Sequence, residues 1–267
     1  MSTGKNKNLL LTIEYDGTGF SGWQRQPGQR TVQGELERVL SVLCAPSITI
    51  DGASRTDAGV HAHGQTATLR GDFSIPTERI PIAANNLLAG AGRFGVPDVR
   101  IRDIAEMPED FHARFSCTGK RYIYLIRNLP TPDIMRRNQC YQVPMPLDLS
   151  AMQEAAALLP GERDYRAFMA AGGNGSGEGQ STVRNIYSAS IRQAEEEGCG
   201  MLRFEISGSG FLYNMVRIIV GTLVDIGQGK KSPKDIPAII ASLDRTKAGH
   251  TAPPQGLYLD EVFYGPE

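Results

Sequence analysis

Cysteine is scarce and scattered. The four residues, Cys44, Cys117, Cys140 and Cys199, show no Cys-x-x-Cys spacing, which excludes a zinc ribbon or a disulfide framework and leaves reduced, structural thiols as the expectation. Long hydrophobic runs are absent, and nothing approaches the roughly 20 unbroken apolar residues that a bilayer-crossing helix needs. The stretch Met1 to Asn8 is polar, carries Lys5 and Lys7, and has no apolar core of the signal-peptide kind, so a cytoplasmic location is expected. Neither charge is in excess: 28 Lys and Arg face 29 Asp and Glu, for a net charge of −1. A chain that is basic throughout is thereby excluded. Any nucleic-acid contact must gather its cations on one face, with acidic runs such as Glu195-Glu196-Glu197 placed elsewhere. A nucleotide-binding P-loop is also missing, because the glycine-rich stretch Gly172 to Ser181 carries Gln180 where the motif requires lysine. A surface loop is expected there.

What is present suffices for packed cores: 267 residues, 40% of them hydrophobic, enough for one large or two ordinary domains. Strand and helix patterns alternate along the chain. Leu9 to Tyr15 reads as a largely apolar, central strand. Thr31 is placed to cap a helix whose Val32, Leu36, Val39, Leu40 and Leu43 share a face. Ile48 to Ile50 reads as a short strand and Val60 to Leu69 as a longer one, with His61 and His63 on one face. Those two histidines lack an obvious third ligand, so they are expected to orient a loop or touch substrate instead of holding metal. Ile80-Pro81 opens a helix through Leu88, which Gly90 and Gly92 close, and Val99 to Arg102 is a strand. The Pro-containing run Met107 to Asp110 is the best candidate join, giving domains 1–107 and 108–267. Beyond it, Lys120 to Ile126, Val183 to Arg192 and Met201 to Ser207 read as strands, and Ala252 to Leu259 leads into a final strand. Leu149 to Leu159, the apolar stretch after Asn214, and a segment opened by Ser232-Pro233 read as helices.

The stretch with the most chemistry is Asp51 to Gln65. Gly52 and Gly59 bracket Arg55 and Asp57, whose spacing of two puts both side chains on one side of an extended backbone. Alone, that pair reads sooner as an Asx-turn with a solvated arginine than as a functional pair. Three other features are ambiguous in the same way. Trp23, the only tryptophan, is a core anchor or a base-stacking ring. Tyr122 and Tyr124 are structural or stacking. Arg217, a charge inside an apolar helix, needs a partner of some kind.

Taken together, these stretches resemble the TruA-related tRNA pseudouridine synthases. Gly52 to Ala62 is similar to that family's active-site loop, except that Ser54 replaces a glycine. Tyr15 to Gln26, Phe111 to Tyr124, Gly208 to Gly221 and Ala252 to Leu259 follow in family order. The resemblance implies an α/β (α+β type) fold of two similarly built domains, with mixed, largely antiparallel sheets and a central active-site cleft. It implies isomerisation of uridine to pseudouridine in the anticodon stem-loop of tRNA, at positions 38 to 40, by a homodimer without cofactor or metal. Asp57 is then the catalytic nucleophile, and Arg55 fills the space left by the flipped base. Arg217 pairs with Asp57, while Tyr122 and Leu257 bind substrate, although core packing explains Leu257 equally well. A catalytically silent RNA-binding module and an aspartate-nucleophile hydrolase are the rivals. The first is disfavoured by Arg55, Asp57, Tyr122 and Arg217 occurring together, and the second by the lack of an Asp-x-Asp metal motif.

Overall fold

The computed structural model describes residues 7–44, 48–90, 95–172, 181–197 and 199–265. Gly92 and residues 173–180 of the glycine-rich stretch lie outside them. The chain forms two compact units: residues up to Thr118 together with those from Tyr258 onward, and Gly119–Leu257. The join anticipated at 107/108 thus falls inside the first unit, where the Met107 N–H donates to the Asn8 carbonyl.

In the first unit, strand β1 (Lys7–Tyr15) runs antiparallel to both β3 (His61–Gly71) and β4 (Val99–Glu106). Its odd-numbered residues Leu9, Leu11 and Ile13 are fully buried and Tyr15 nearly so, as period-two alternation requires. Strand β2 (Ile50–Gly52) adds to β3 through Leu69, Thr68 and Ala67, so only the end of the expected 48–50 run joins a ladder. The last strand, β10 (Leu257–Phe263), returns to pair parallel with β3 at Tyr258 and Leu259. Helix α1 (Val32–Leu43) starts where the Thr31 hydroxyl accepts the Gly34 N–H at 3.2 Å. Its Val32, Leu36, Val39 and Leu40 are fully buried, each contributing about 1.5–3 kcal/mol of apolar burial. Helix α2 (Ile80–Leu88) carries Pro81 in its first turn, where no N–H is missed, and packs on α1 and β4.

The second unit is built on β5 (Gly119–Arg127), β9 (Met201–Gly208), β8 (Val183–Gln193) and β7 (Gly161–Asp164), paired antiparallel in that order. The two-residue β6 (Tyr141–Gln142) lies parallel on β5. Helix α3 (Leu149–Ala157), capped by the Asp148 carboxylate, packs against β8 and α4 (Met215–Gly227). Helix α4 is buried almost all round. Gly221 lies so close to the His250 carbonyl that a Cβ would sit 1.8 Å from its oxygen, so no side chain fits there. Helix α5 (Asp235–Ser242) follows a turn in which Asp235 accepts the Ser232 N–H and the Ser232 hydroxyl accepts the Lys234 N–H. Both units are mixed α/β with mostly antiparallel ladders, as the sequence suggested.

Candidate active site

The loop from Gly52 to Val60 links β2 to β3, and its shape is fixed from below. Gln65 is fully buried on β3. Its Nε2 donates to the Ser54 carbonyl at 2.8 Å, and its Oε1 accepts the N–H groups of Ser54 and Thr66. The Ala53 N–H donates to the Thr66 carbonyl at 2.8 Å. Further along, the Thr56 hydroxyl meets the Tyr15 hydroxyl at 2.7 Å, and the Thr56 carbonyl accepts the Trp23 N–H at 3.0 Å. A turn closes the loop, with the Val60 N–H donating to the Asp57 carbonyl and Gly59 at φ +78°. Buried Thr56 is therefore the pin, with exposed Arg55 before it and half-buried Asp57 after it.

Trp23 is 1% exposed, and its ring lies under Gly52, where a Cβ would come within 2.4 Å of it. It is a core anchor of this loop, and the stacking alternative is closed. His61 is also buried. Its Nδ1 accepts the Gly17 N–H at 3.1 Å and its ring stacks on Tyr258 at 4.6 Å, so it orients the neighbouring turn. Half-exposed His63 stacks on the same tyrosine at 5.0 Å and meets Asp260 at 3.2 Å. Asp16 lies 3.2 Å from His61. Burial works against its charge, yet hydrogen bonds from Thr18, helped by His61, hold its pKa below the ordinary carboxylate value. A bulge shapes this end of the sheet: between Ile13 and Tyr15 the partners step from Gln65 to Ala62, so β3 carries an extra residue.

The other candidates belong to the second unit. Tyr122 on β5 is 7% exposed and meets Phe211 edge-on, with ring centroids 5.1 Å apart. Tyr124, two residues on, is fully buried and donates to the Pro253 carbonyl at 2.7 Å. Burial raises its pKa well above the usual phenol value, so it is a fixed donor. Its ring also occupies the space a Cβ on Gly256 would need, which sets the segment leading into Leu257, itself 7% exposed. Arg217 sits in the first turn of α4. Its Nε donates to the Ala252 carbonyl at 2.7 Å and its Nη1 to Asn214 Oδ1 at 2.7 Å, while its own carbonyl accepts the Ala252 N–H. Asn214 adopts φ +59°, the left-handed conformation that asparagine tolerates better than most residues. These neutral acceptors satisfy part of a guanidinium embedded in an apolar helix.

Two residues that matter here were not singled out as builders of the site. Gln65 and Tyr15 were legible only as motif members. The available signal was a long polar side chain at a sheet position facing Ile13. Among the described residues, no set of three His, Cys, Asp or Glu side chains is placed to hold a metal ion, and no helix is long and apolar enough to cross a membrane.

Fold and loop together define an α/β protein that presents a carboxylate on a rigid turn between two strands. Comparison with known families specifies the class. The family described as tRNA pseudouridine synthase matches residues 11–116 and 155–265, and the chain belongs to it. A protein of Ruminiclostridium cellulolyticum named tRNA pseudouridine synthase A is 46% identical over 97% of this chain and all of that protein. Proteins of the same name from Acetivibrio thermocellus and from a Geobacillus species are each 43% identical, covering 97% of this chain and 100% and 99% of their own lengths.

Proposed function

We propose that this protein isomerises uridine to pseudouridine in tRNA, acting on the anticodon stem-loop. The observation that carries the reading is full-length membership of the family, together with a matching Asp57 turn clamped by Gln65, Tyr15 and Trp23. The reaction breaks the C1′–N1 bond, turns the uracil and joins C1′ to C5. The hydrogen on C5 leaves to water as a proton while the freed N1 takes one up, and no electrons are gained or lost. Asp57 acts as the nucleophile, at C1′ or C6, or takes the C2′ proton; each route needs the ionised form. A stacked base is out of reach, so the nucleotide is flipped out at a cost of about a few kcal/mol. Arg55 fills the vacated space, Tyr122 stacks on the uracil, and Leu257 lines the pocket. Stacking suits Tyr122 better than base chemistry, because a neutral phenol is a weak base. A homodimer working in the cytoplasm completes the reading. The test is direct: wild-type protein given tRNA tritiated at C5 should release label to water, and no release from any tRNA would end the proposal.

Two further outcomes are expected. The chain has no overall positive charge, so tRNA affinity must come from local phosphate contacts. Raising salt from about 50 to 200 mM should then weaken binding at least about tenfold. A flat salt response would exclude such a patch. Arg217 is assigned the task of keeping Asp57 ionised. Arg217→Met keeps much of the bulk and removes the charge, so the carboxylate should ionise only at higher pH and the acid limb of the pH–rate profile should move upward. Reduced activity with an unmoved acid limb would make Arg217 purely structural.

A further inference from the structure

Arg184 is a half-buried cation that the roles above do not use. It is the second residue of β8, directly opposite Arg163 of β7, and two like charges facing each other across an antiparallel pair repel. Arg163 is turned back towards the Leu158 carbonyl, to which its Nη1 donates at 3.2 Å. Arg184 spends only Nη1, donating to the carbonyls of Ser181 at 2.8 Å and Val183 at 2.7 Å. Its remaining three N–H groups, one on Nε and two on Nη2, have no acceptor among the described residues, and no carboxylate there pairs with either arginine. Burial lowers the pKa of Arg184 and nothing counters it. A guanidinium held this way presents the fork that matches two oxygens of a phosphate.

Its position gives the fork a purpose. The Asn185 N–H donates to the Ser209 hydroxyl at 3.1 Å, and the Ser209 N–H donates to the Asn185 carbonyl at 2.9 Å, so β8 and the Gly208–Gly210 turn are locked together beside Arg184. A Cβ on Gly210 would lie 3.8 Å from both Cδ and Nε of Arg184. The next residue, Phe211, is the ring that packs edge-on against Tyr122. We infer that Arg184 grips a phosphodiester of the RNA backbone, positioning the strand whose uridine meets Tyr122. The inference rests on the tRNA substrate proposed above.

The experiment measures binding of a tRNA transcript to the full-length wild-type protein, to Arg184→Gln and to Arg184→Lys across a salt series. Loss of one phosphate contact should lower the slope of log affinity against log salt by about one for Arg184→Gln, with about a tenfold loss of affinity at moderate salt. Arg184→Lys, which keeps a point charge, should keep most of the slope. Melting temperatures should stay within a few degrees of wild type. An unchanged slope in Arg184→Gln would overturn the inference, as would a weaker affinity explained by a large drop in melting temperature. Should the Gln variant fail to fold, the Nε–H resonance of Arg184 in wild-type protein, assigned by its loss in Arg184→Lys, decides. It should shift on saturation with tRNA, and a resonance that stays put would overturn the inference. Tritium release by wild-type protein is scored separately, so failure of the catalytic reading is distinguishable from failure of this contact.

Discussion

Asp57→Asn should abolish tritium release from C5-labelled tRNA, by at least about a thousandfold, while tRNA binding stays within about tenfold, or roughly 1.4 kcal/mol. The side chain is half-buried, and the hydrogen bonds of Thr56 and Val60 that shape its turn are made by other atoms. Thr56 holds the loop through Tyr15 and Trp23, and the Val60 N–H bonds to the backbone carbonyl of residue 57, which asparagine keeps. The substitution therefore removes the proposed nucleophile and keeps the backbone bonds of the turn. Groups that bond to the transition state matter more to rate than to ground-state affinity, so rate and binding should separate. Asparagine can revert to aspartate by deamidation, so the intact mass of the variant has to be checked before and after the assay. Near-normal release from protein whose mass still shows the amide in place of the carboxylate would remove this residue from the mechanism. Equal losses of binding and rate would instead assign Asp57 to holding the RNA.

Local patterns exposed the elements that local physics decides. Helix α1 has a hydroxyl cap and a 3.6-residue apolar stripe, and it begins where both required. Helix α2 spans the residues expected from Ile80-Pro81 onward. Strands β6 and β7 escaped notice because each, at two and four residues, is too short to show a period. The return of β10 to the first unit is a pairing with His61 and Ala62, nearly 200 positions upstream, and nothing in its own residues states that partner. The candidate turn at Asp57 was legible because glycines, a carboxylate and an arginine crowd one short stretch. Its supports were not, since Gln65 and Tyr15 act through distance in space. Arg217 stood out as a charge among apolar neighbours, and the structure supplies acceptors at Ala252 and Asn214. Arg184 raised no such flag, because an arginine near the start of a strand looks like any solvated surface charge until its unused donors are counted.

The rigidity of the Asp57 turn can be separated from the ordinary cost of a left-handed residue by comparing two glycines in one loop. Gly22 has φ +89° and Gly28 has φ +70°, so alanine is strained at either position, by about 1 kcal/mol or somewhat more. Around Gly28, which follows Pro27 in a turn closed by the Gln29 N–H on the Gln26 carbonyl, a Cβ would meet nothing within 4 Å. Around Gly22 it would meet the Thr56 carbonyl oxygen at 2.7 Å, with the Ala58 nitrogen and the Asp57 carbonyl carbon at 3.2 Å. All three are backbone atoms of the Asp57 turn, and none is the far end of a flexible side chain that could swing aside. Gly22→Ala must therefore push Asp57 away from its position or break the bond from the Trp23 N–H to Thr56. Overpacking of this kind adds about 1–3 kcal/mol to the conformational strain. Displacing a reacting group by about 1 Å costs on the order of a hundredfold in rate. Gly28→Ala is thus expected to lower stability by about 1 kcal/mol with near-normal tritium release. Gly22→Ala should lose about 2–4 kcal/mol in denaturant titration and at least about a hundredfold in release at a temperature where the protein is still folded. If the two variants behave alike in both measurements, the contact between Gly22 and the Asp57 turn does not set the geometry of catalysis.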